Sequence, residues 1–507
     1  LNEDRGVYRQ VLLEQIQDLI RGFQPTSTSE KQGAVFVRSV DQISTEDYIL
    51  LQTVAKVVIS DLQGSLEEQI NKVFTKKVKT PSISRLFETS KPIGHYLSLP
   101  EDTLFANGHG GFSPDGREYL ILTNKNSHTP LPWVNVIANK DFGTIVSESG
   151  PSYTWYENAQ MFRLTPWSND PVTDTSGEAY YIRDEDNGRF WSPMPWPAQS
   201  KSSYITRHGF GYTIIEHQHD QIHSQAKIFV DIEHSIRFTS IKLKNASSRN
   251  RKLSVVGYIE WILGSLRQQS VMHVVTQRDP ESGAIIARNP YNSDFQNFAG
   301  FIQVDEPSYS FTCDRKEFIG RNGSLQSPSG LKQIAFSGKT GAGLDPCTAY
   351  LIPIDLQPGQ DVEIIFRIGA TNNINDARII LNKFKGNESV HRSFENVQTF
   401  WANTLGSIQI NTPDPALNIL TNGWLLYQVL SSRFWGRSGF YQSGGAYGYR
   451  DQLQDTLAMV HAEPNLTREH ILLSASRQFI EGDVQHWWHP PTNKGVRTLC
   501  SDDFLWL

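Results

Sequence analysis

Carboxylates, arginines, amides, histidines and indoles crowd into the last part of the sequence. Ser-Gly-Gly-Ala-Tyr-Gly-Tyr-Arg-Asp-Gln-Leu-Gln-Asp fills 443–455, Glu-Gly-Asp-Val-Gln-His-Trp-Trp-His-Pro-Pro fills 481–491, and Ser-Asp-Asp-Phe-Leu-Trp-Leu occupies 501–507. Groups that grip hydroxyls, mixed with flat aromatic faces, suit a sugar ring, which offers hydroxyls at its rim and apolar C–H faces above and below. Arg450 and Asp451 stand between a glycine-rich loop and a helix start. A carboxylate beside a guanidinium stays ionised and accepts hydroxyl protons while the arginine donates. The plainer alternative is that Asp451 caps the helix 451–461 and Arg450 merely pairs with it. Asp455, one turn on, faces the same side. Gln485 and His486 add polar groups beside Trp487 and Trp488, two indoles able to stack on sugars. Asp502 and Asp503 form an evident acid/base pair, since glycoside cleavage commonly uses two carboxyls. Neighbours in sequence rarely both face one substrate, however, and one of them could cap a helix starting at Phe504. His486 and His489, in a non-helical, proline-ended loop, lack the further ligands of a metal centre, so no metal is expected.

The elements that must position these groups follow from periodicity. Apolar residues at helical spacing predict helices over 7–22, 45–62 (with Thr45 as N-cap) and 64–77, with a short strand at 34–38, giving a mostly helical segment over 1–80. From 81 to 372 β-branched and aromatic runs separated by Gly, Pro, Asn and Asp predict a large antiparallel β-sandwich. One strand there alternates with period two through Ile236–Thr239 and resumes one residue out of step at Ile241, a pattern expected of a bulge at Ser240. Helices return over 373–411 as a linker, with a short strand at 408–410. Residues 412–507 then carry amphipathic helices over 413–435, 451–461 and 467–480, the last capped by Thr467. Helices joined by loops that converge at one end suggest an α/α barrel. A dense stretch in the sandwich, Arg163-Leu-Thr-Pro-Trp-Ser-Asn-Asp170 with Trp191 and Trp196, is either buried aromatic packing or a loop reaching the site.

Composition narrows the function class. The 507 residues carry a formal charge of −6 with 38% hydrophobic and 20% charged residues, a soluble globular balance without the basic face of a nucleic-acid binder. The three cysteines, Cys313, Cys347 and Cys500, have no metal-type spacing and suit a reducing compartment. No apolar run is long enough to span a membrane. The sequence begins at Leu1 and stops inside the apolar run Phe504–Leu507, which reads as an internal piece of a longer enzyme, cut within its catalytic domain.

Long phrases in the chain resemble glycoside hydrolase family 94, and within it the C-terminal phosphorylase-like region of cyclic β-1,2-glucan synthases. They include Leu164-Thr-Pro-Trp-Ser-Asn-Asp-Pro171, Arg288-Asn-Pro-Tyr-Asn292, Ser337-Gly-Lys-Thr-Gly-Ala-Gly-Leu-Asp-Pro346, Gly448-Tyr-Arg-Asp-Gln-Leu-Gln-Asp455, Glu481–Pro491 and Ser501–Leu507. The resemblance implies a β-sandwich, a helical linker and a truncated (α/α)₆ barrel. It implies inverting phosphorolysis of a β-glucan, giving α-glucose 1-phosphate and setting chain length. Its partners would then be β-glucan oligosaccharide and inorganic phosphate as co-substrate, with a homodimer as a further partner, no nucleic acid and no cofactor. Phosphate itself attacks, so one carboxylic acid suffices, and in the family that acid lies in an Asp-Trp-Asn-Asp stretch expected after Leu507. Arg450 and Asp451 match the family's grip on the glucose at the cleaved bond, with Asp455, Gln485, His486, Asp502 and Asp503 expected to line the site. The resemblance also implies a parent protein at the cytoplasmic face of a bacterial inner membrane, its polymerising and membrane-spanning parts upstream. A stand-alone β-1,2-oligoglucan or cellobiose-type phosphorylase, and a non-catalytic glucan-binding protein, are the rival readings.

Overall fold

The computed structural model describes residues 11–23, 36–38, 43–60, 64–74 and 97–507. The chain divides into two compact units at 74/75. The first holds helices Val11–Phe23, Thr45–Val54 and Leu66–Phe74. The second of these is capped by Ser44, whose side chain accepts from the Asp47 backbone N–H, rather than by Thr45, and it stops well short of 62. Residues 36–38 are irregular, not a strand. The rest of that expected strand, the start of the 7–22 helix, residues 61–62 and the end of the helix expected over 64–77 lie outside the described residues. No helix among the described residues is long and apolar enough to cross a membrane.

The second unit is built on a large antiparallel sandwich. Ten strands form one sheet, running in space from Gly110–Phe112 through Tyr212–His219, Ile222–Val230, Ile236–Asn245 and Asp361–Thr371 to Val275–Arg278. A five-stranded sheet centred on Arg251–Glu260 faces it, and the three-stranded sheet Val134–Ala138, Phe142–Ser147, Gly150–Tyr156 flanks it. One face of the large sheet supplies Ile228, Ile241 and Phe366 to a core shared with Tyr180, Val255 and Ile352 of the five-stranded sheet. The opposite face supplies Phe229, Phe238, Phe301 and Ile365, covered by Leu381, Val390, Val397 and Trp401. Those four lie on helices Ile374–Lys383 and Asn387–Leu405.

Burial on both faces explains the broken alternation around Ser240. Ile236–Asn245 keeps one unbroken register with both neighbours, Ser240 opposite Lys227 and Ile365, so no bulge exists. The apolar residues change face along the strand because the layer they meet changes. Where Ile236 and Phe238 point at the helices, Arg237 points into the sandwich and forms a fully buried ion pair with Glu178, 2.5 Å apart.

After the linker helices, residues 408–410 are irregular rather than a strand. A continuous helical rod then runs from Pro415, capped by the Asp414 carboxylate, to Gly436, with π-type turns over Leu420–Trp424 and Val429–Gly436. Helices Tyr449–Met459 and Pro464–Ala475 pack beside its end. The last of these opens with proline at its first position, leaving Thr467 inside the helix, where it bonds back to the Glu463 carbonyl instead of capping. Residues 484–489 are not a loop. They form a strand paired with Lys494–Thr498 and with Tyr447–Gly448.

Candidate functional site

The helical rod ends where Arg437 takes a left-handed conformation, φ +47°. The chain then loops through 438–446 before helix Tyr449–Met459 begins. The end of the rod, this loop, the start of that helix and strand Val484–His489 line an open cavity of about 450 Å³. Its walls include Arg433, Tyr441, Gln442, Asp451, Gln452 and Trp487. Guanidinium, phenol, amide, carboxylate and indole together can donate to hydroxyls, accept from them and stack on a ring face.

Asp451 lies in the first turn of its helix, but the N-cap is Gly448, so capping does not account for the carboxylate. A Cβ at Gly448 would stand 2.5 Å from Asp451 Oδ2, and the glycine is what leaves the carboxylate room beside the loop. Gly445, at φ +66°, meets Asn158 of the sandwich at 2.2 Å from an added Cβ. These two glycines therefore serve close packing within the protein.

The other expected site residues are placed as follows. Arg450 bonds Asp502, and both are 44% exposed. The Cys500 thiol and the Arg450 guanidinium hold the Asp502 carboxyl below its ordinary range. Asp455 faces Arg433, 3.2 Å away, and burial pushes its carboxyl up. Gln485 donates to the Asn493 carbonyl. His486 is the extra residue of a β-bulge, since Gln485 pairs with Arg497 and Trp487 with Val496. The bulge turns His486 Nδ1 onto Asp503 Oδ2 at 2.6 Å. Asp503 is buried, 1% exposed. Asp502 occupies the cap position of the short turn Asp503–Leu505 yet makes no capping bond. The adjacent Asp502 and Asp503 thus have separate partners. Of the two indoles, Trp487 lines the cavity, whereas Trp488 is core, packed with Tyr449, Leu453 and Val484.

The ligand-type atoms of His486, Cys500 and Asp503 lie within 4.8 Å of one another. His486 is already bonded to Asp503, and the Cys500 thiol donates to Asp502.

Sequence reasoning missed Arg433, Tyr441 and Gln442. The run Arg437-Ser-Gly-Phe-Tyr-Gln442 directly after a long helix was the available signal. The dense sandwich stretch does reach this loop: Trp167 Nε1 donates to the Phe440 carbonyl at 2.8 Å and Arg163 Nη2 to Ser443 Oγ at 2.8 Å. Buried Tyr153 bonds Ser438. A second cavity, about 420 Å³, lies by the other end of the rod, where three of its four amides, Gln409, Asn418 and Asn422, are bonded to backbone groups.

Two family models match the chain: the glycosyl hydrolase 94 supersandwich domain over residues 117–387 and the glycosyl hydrolase 94 superfamily catalytic domain over 400–507. The cyclic beta-(1,2)-glucan synthase NdvB of Rhizobium meliloti (strain 1021) is 34% identical, across 100% of this chain and 18% of that protein. The N,N'-diacetylchitobiose phosphorylase of Vibrio proteolyticus is 25% identical, across 79% of this chain and 54% of its own length. Among solved structures, a bacterial glucoamylase complexed with acarbose aligns with TM-score 0.42 at 10% identity, over 75% of this chain and 56% of that one. The chain thus spans about a fifth of the synthase and about half of the phosphorylase. With the sandwich and the helical region each matched in turn, this chain belongs to glycoside hydrolase family 94.

Proposed function

We propose that the chain carries the glucose-gripping part of a glycoside phosphorylase-like module acting on β-1,2-glucan, with the sandwich over 81–372, a linker over 373–411 and the start of the helical catalytic domain over 412–507. The observation that carries this is Asp451: it lines the cavity, has no capping role, and shares that cavity with amide, phenol and indole groups. The full match to a cyclic glucan synthase supports the linkage, and the phosphorylase relative supports phosphate as co-substrate. In such a reaction a phosphate oxygen bonds the anomeric carbon as the glycosidic C–O bond breaks, and a carboxylic acid gives its proton to the leaving oxygen. The part played by Asp451 is to hold a ring hydroxyl, an interaction that strengthens as the ring distorts. Asp502 and Asp503 are not assigned the proton-donor role, because one is paired with Arg450 and the other is buried against His486.

Titration calorimetry with β-1,2- and β-1,4-linked gluco-oligosaccharides tests the reading. The β-1,2 series binds wild type and binds Asp451→Asn at least tenfold more weakly. Equal affinity in the two proteins removes Asp451 from the site, and preference for the β-1,4 series removes the assigned linkage.

A further inference from the structure

Two walls of the cavity are tied to one side chain of the sandwich. Asn158 follows strand Gly150–Tyr156 and is 0% exposed. Its Oδ1 accepts from the backbone N–H groups of Gln160 and Met161, both at 3.0 Å, closing a local turn. Its Nδ2 donates to the Gly445 carbonyl at 3.0 Å and to the Pro490 carbonyl at 2.8 Å. Gly445 belongs to the loop that presents Tyr441 and Gln442, and Pro490 directly follows the strand that presents Trp487. These wall segments lie 287 and 332 residues from Asn158 in sequence. The Gly445 carbonyl also accepts from Arg437 Nε at 3.1 Å, and Arg437 in turn donates to the Glu157 carbonyl at 3.2 Å. Ser443, two residues before Gly445, is held by Arg163 and donates to the Ala159 carbonyl at 2.5 Å. The turn 157–163 is therefore a template against which the loop is laid.

We infer that Asn158 is a positioning residue: its amide N–H groups set the spacing between the glycine-rich loop and the Trp487 strand, and hence the width of the glucose-binding cavity. The inference rests on the proposed reading of that cavity. An amide offers two donors and one acceptor in a fixed plane, so one side chain shapes its own turn and orders two distant backbones. A site assembled from three separate segments reaches a defined geometry only when such supporting bonds hold it.

The test uses the 507-residue chain with three substitutions. Asn158→Asp keeps the acceptor that closes the turn and loses both donors. Gly445→Ala acts from the other side, placing a Cβ 2.2 Å from Asn158 Oδ1. Asn245→Ala is the control: this equally buried asparagine donates only to Arg249 and Leu356 carbonyls within the sandwich. Hydrogen exchange is followed by mass spectrometry over 437–446 and 484–493, and affinity for β-1,2-gluco-oligosaccharide by calorimetry. Asn158→Asp and Gly445→Ala raise exchange in both wall segments at least fivefold and weaken binding at least tenfold, leaving 204–230 protected. Asn245→Ala lowers the unfolding temperature without either effect. Unchanged wall exchange in Asn158→Asp, raised exchange with unchanged affinity, or an equal rise in Asn245→Ala overturns the inference. If Asn158→Asp does not fold, Gly445→Ala decides by the same criteria. A wild-type chain that binds no gluco-oligosaccharide sinks the functional reading alone, because the exchange arm still judges the clamp.

Discussion

Arg450 reaches across 52 residues to Asp502 and leaves its sequence neighbour Asp451 to the cavity. The arginine–carboxylate dyad suggested by adjacency is thus two separate groups with different surroundings. An ion pair this exposed is screened by water and contributes little, so Arg450→Ala barely moves the unfolding temperature. Asp451→Asn removes a negative charge from a helix first turn, worth about 0.3–1 kcal/mol, and is also nearly silent in stability. In calorimetry with gluco-oligosaccharide, Asp451→Asn loses more affinity than Arg450→Ala. The reverse order places the grip on Arg450.

Gly448→Ala offers a sharper probe of the same carboxylate. Gly448 has an ordinary extended φ of −95°, so alanine is not strained there. Its Cβ nonetheless falls 2.5 Å from Asp451 Oδ2, and the side chain has to turn away. A cooperative unfolding transition within a few degrees of wild type, with affinity lowered about as much as in Asp451→Asn, is the expected result. Wild-type affinity would mean the carboxylate position is immaterial.

The sandwich depends on Arg237 and Glu178, both fully buried. Glu178 also accepts from Thr154 and Thr165, and Arg237 donates to Thr144 and Thr154. Removing one partner of such a pair leaves an uncompensated buried charge and costs about 3–5 kcal/mol. Arg237→Met should lower the unfolding temperature by roughly 5–8 °C for a domain of this size. Adding Glu178→Gln recovers part of that loss, since the stranded charge is then gone.

Asp174 makes stability depend on pH. Burial pushes its carboxyl from 3.8 up to about 7, against the opposing hydrogen bond from Ser147. The folded chain therefore holds a proton that the unfolded chain releases between those two values. Stability from this group is complete below pH 3.8 and is lost as pH rises through about 7. Asp174→Asn keeps the shape, and asparagine accepts the left-handed φ of +44°. Melting curves from pH 4 to 8 should show the variant gaining on wild type as pH rises. A constant difference across that range would exclude the effect.

Much of the architecture was legible from local pattern. β-Branched runs punctuated by turn residues give the sandwich, because strand formation and turn chemistry are short-range properties. The helices that follow were likewise readable from spacing, though Thr45 and Thr467 were read as caps that the structure gives to Ser44 and Glu463, and the capping alternative weighed for Asp451 falls to Gly448. Several polar residues suit a helix end, and backbone geometry selects among them. The slip at Ser240 read as a bulge because a period-two rule assumes one wet face, and here helices cover the second. The strand at Val484–His489 read as a loop because its histidines and the two prolines after it mask a pairing made with residues farther along the chain.

For the site, sequence determined the inventory: which carboxylates, amides and indoles are available, and that their mixture suits a sugar. Tertiary structure decided their assignments. It sent Asp502 to Arg450, Asp503 to His486 and Trp488 to the core, kept Asp451 and Trp487 for the cavity, and recruited Asn158, Arg163 and Trp167 from the sandwich to shape the loop. Hydrogen bonds and charge pairs act over about 3 Å, and only the folded chain brings residues some 300 positions apart within that reach.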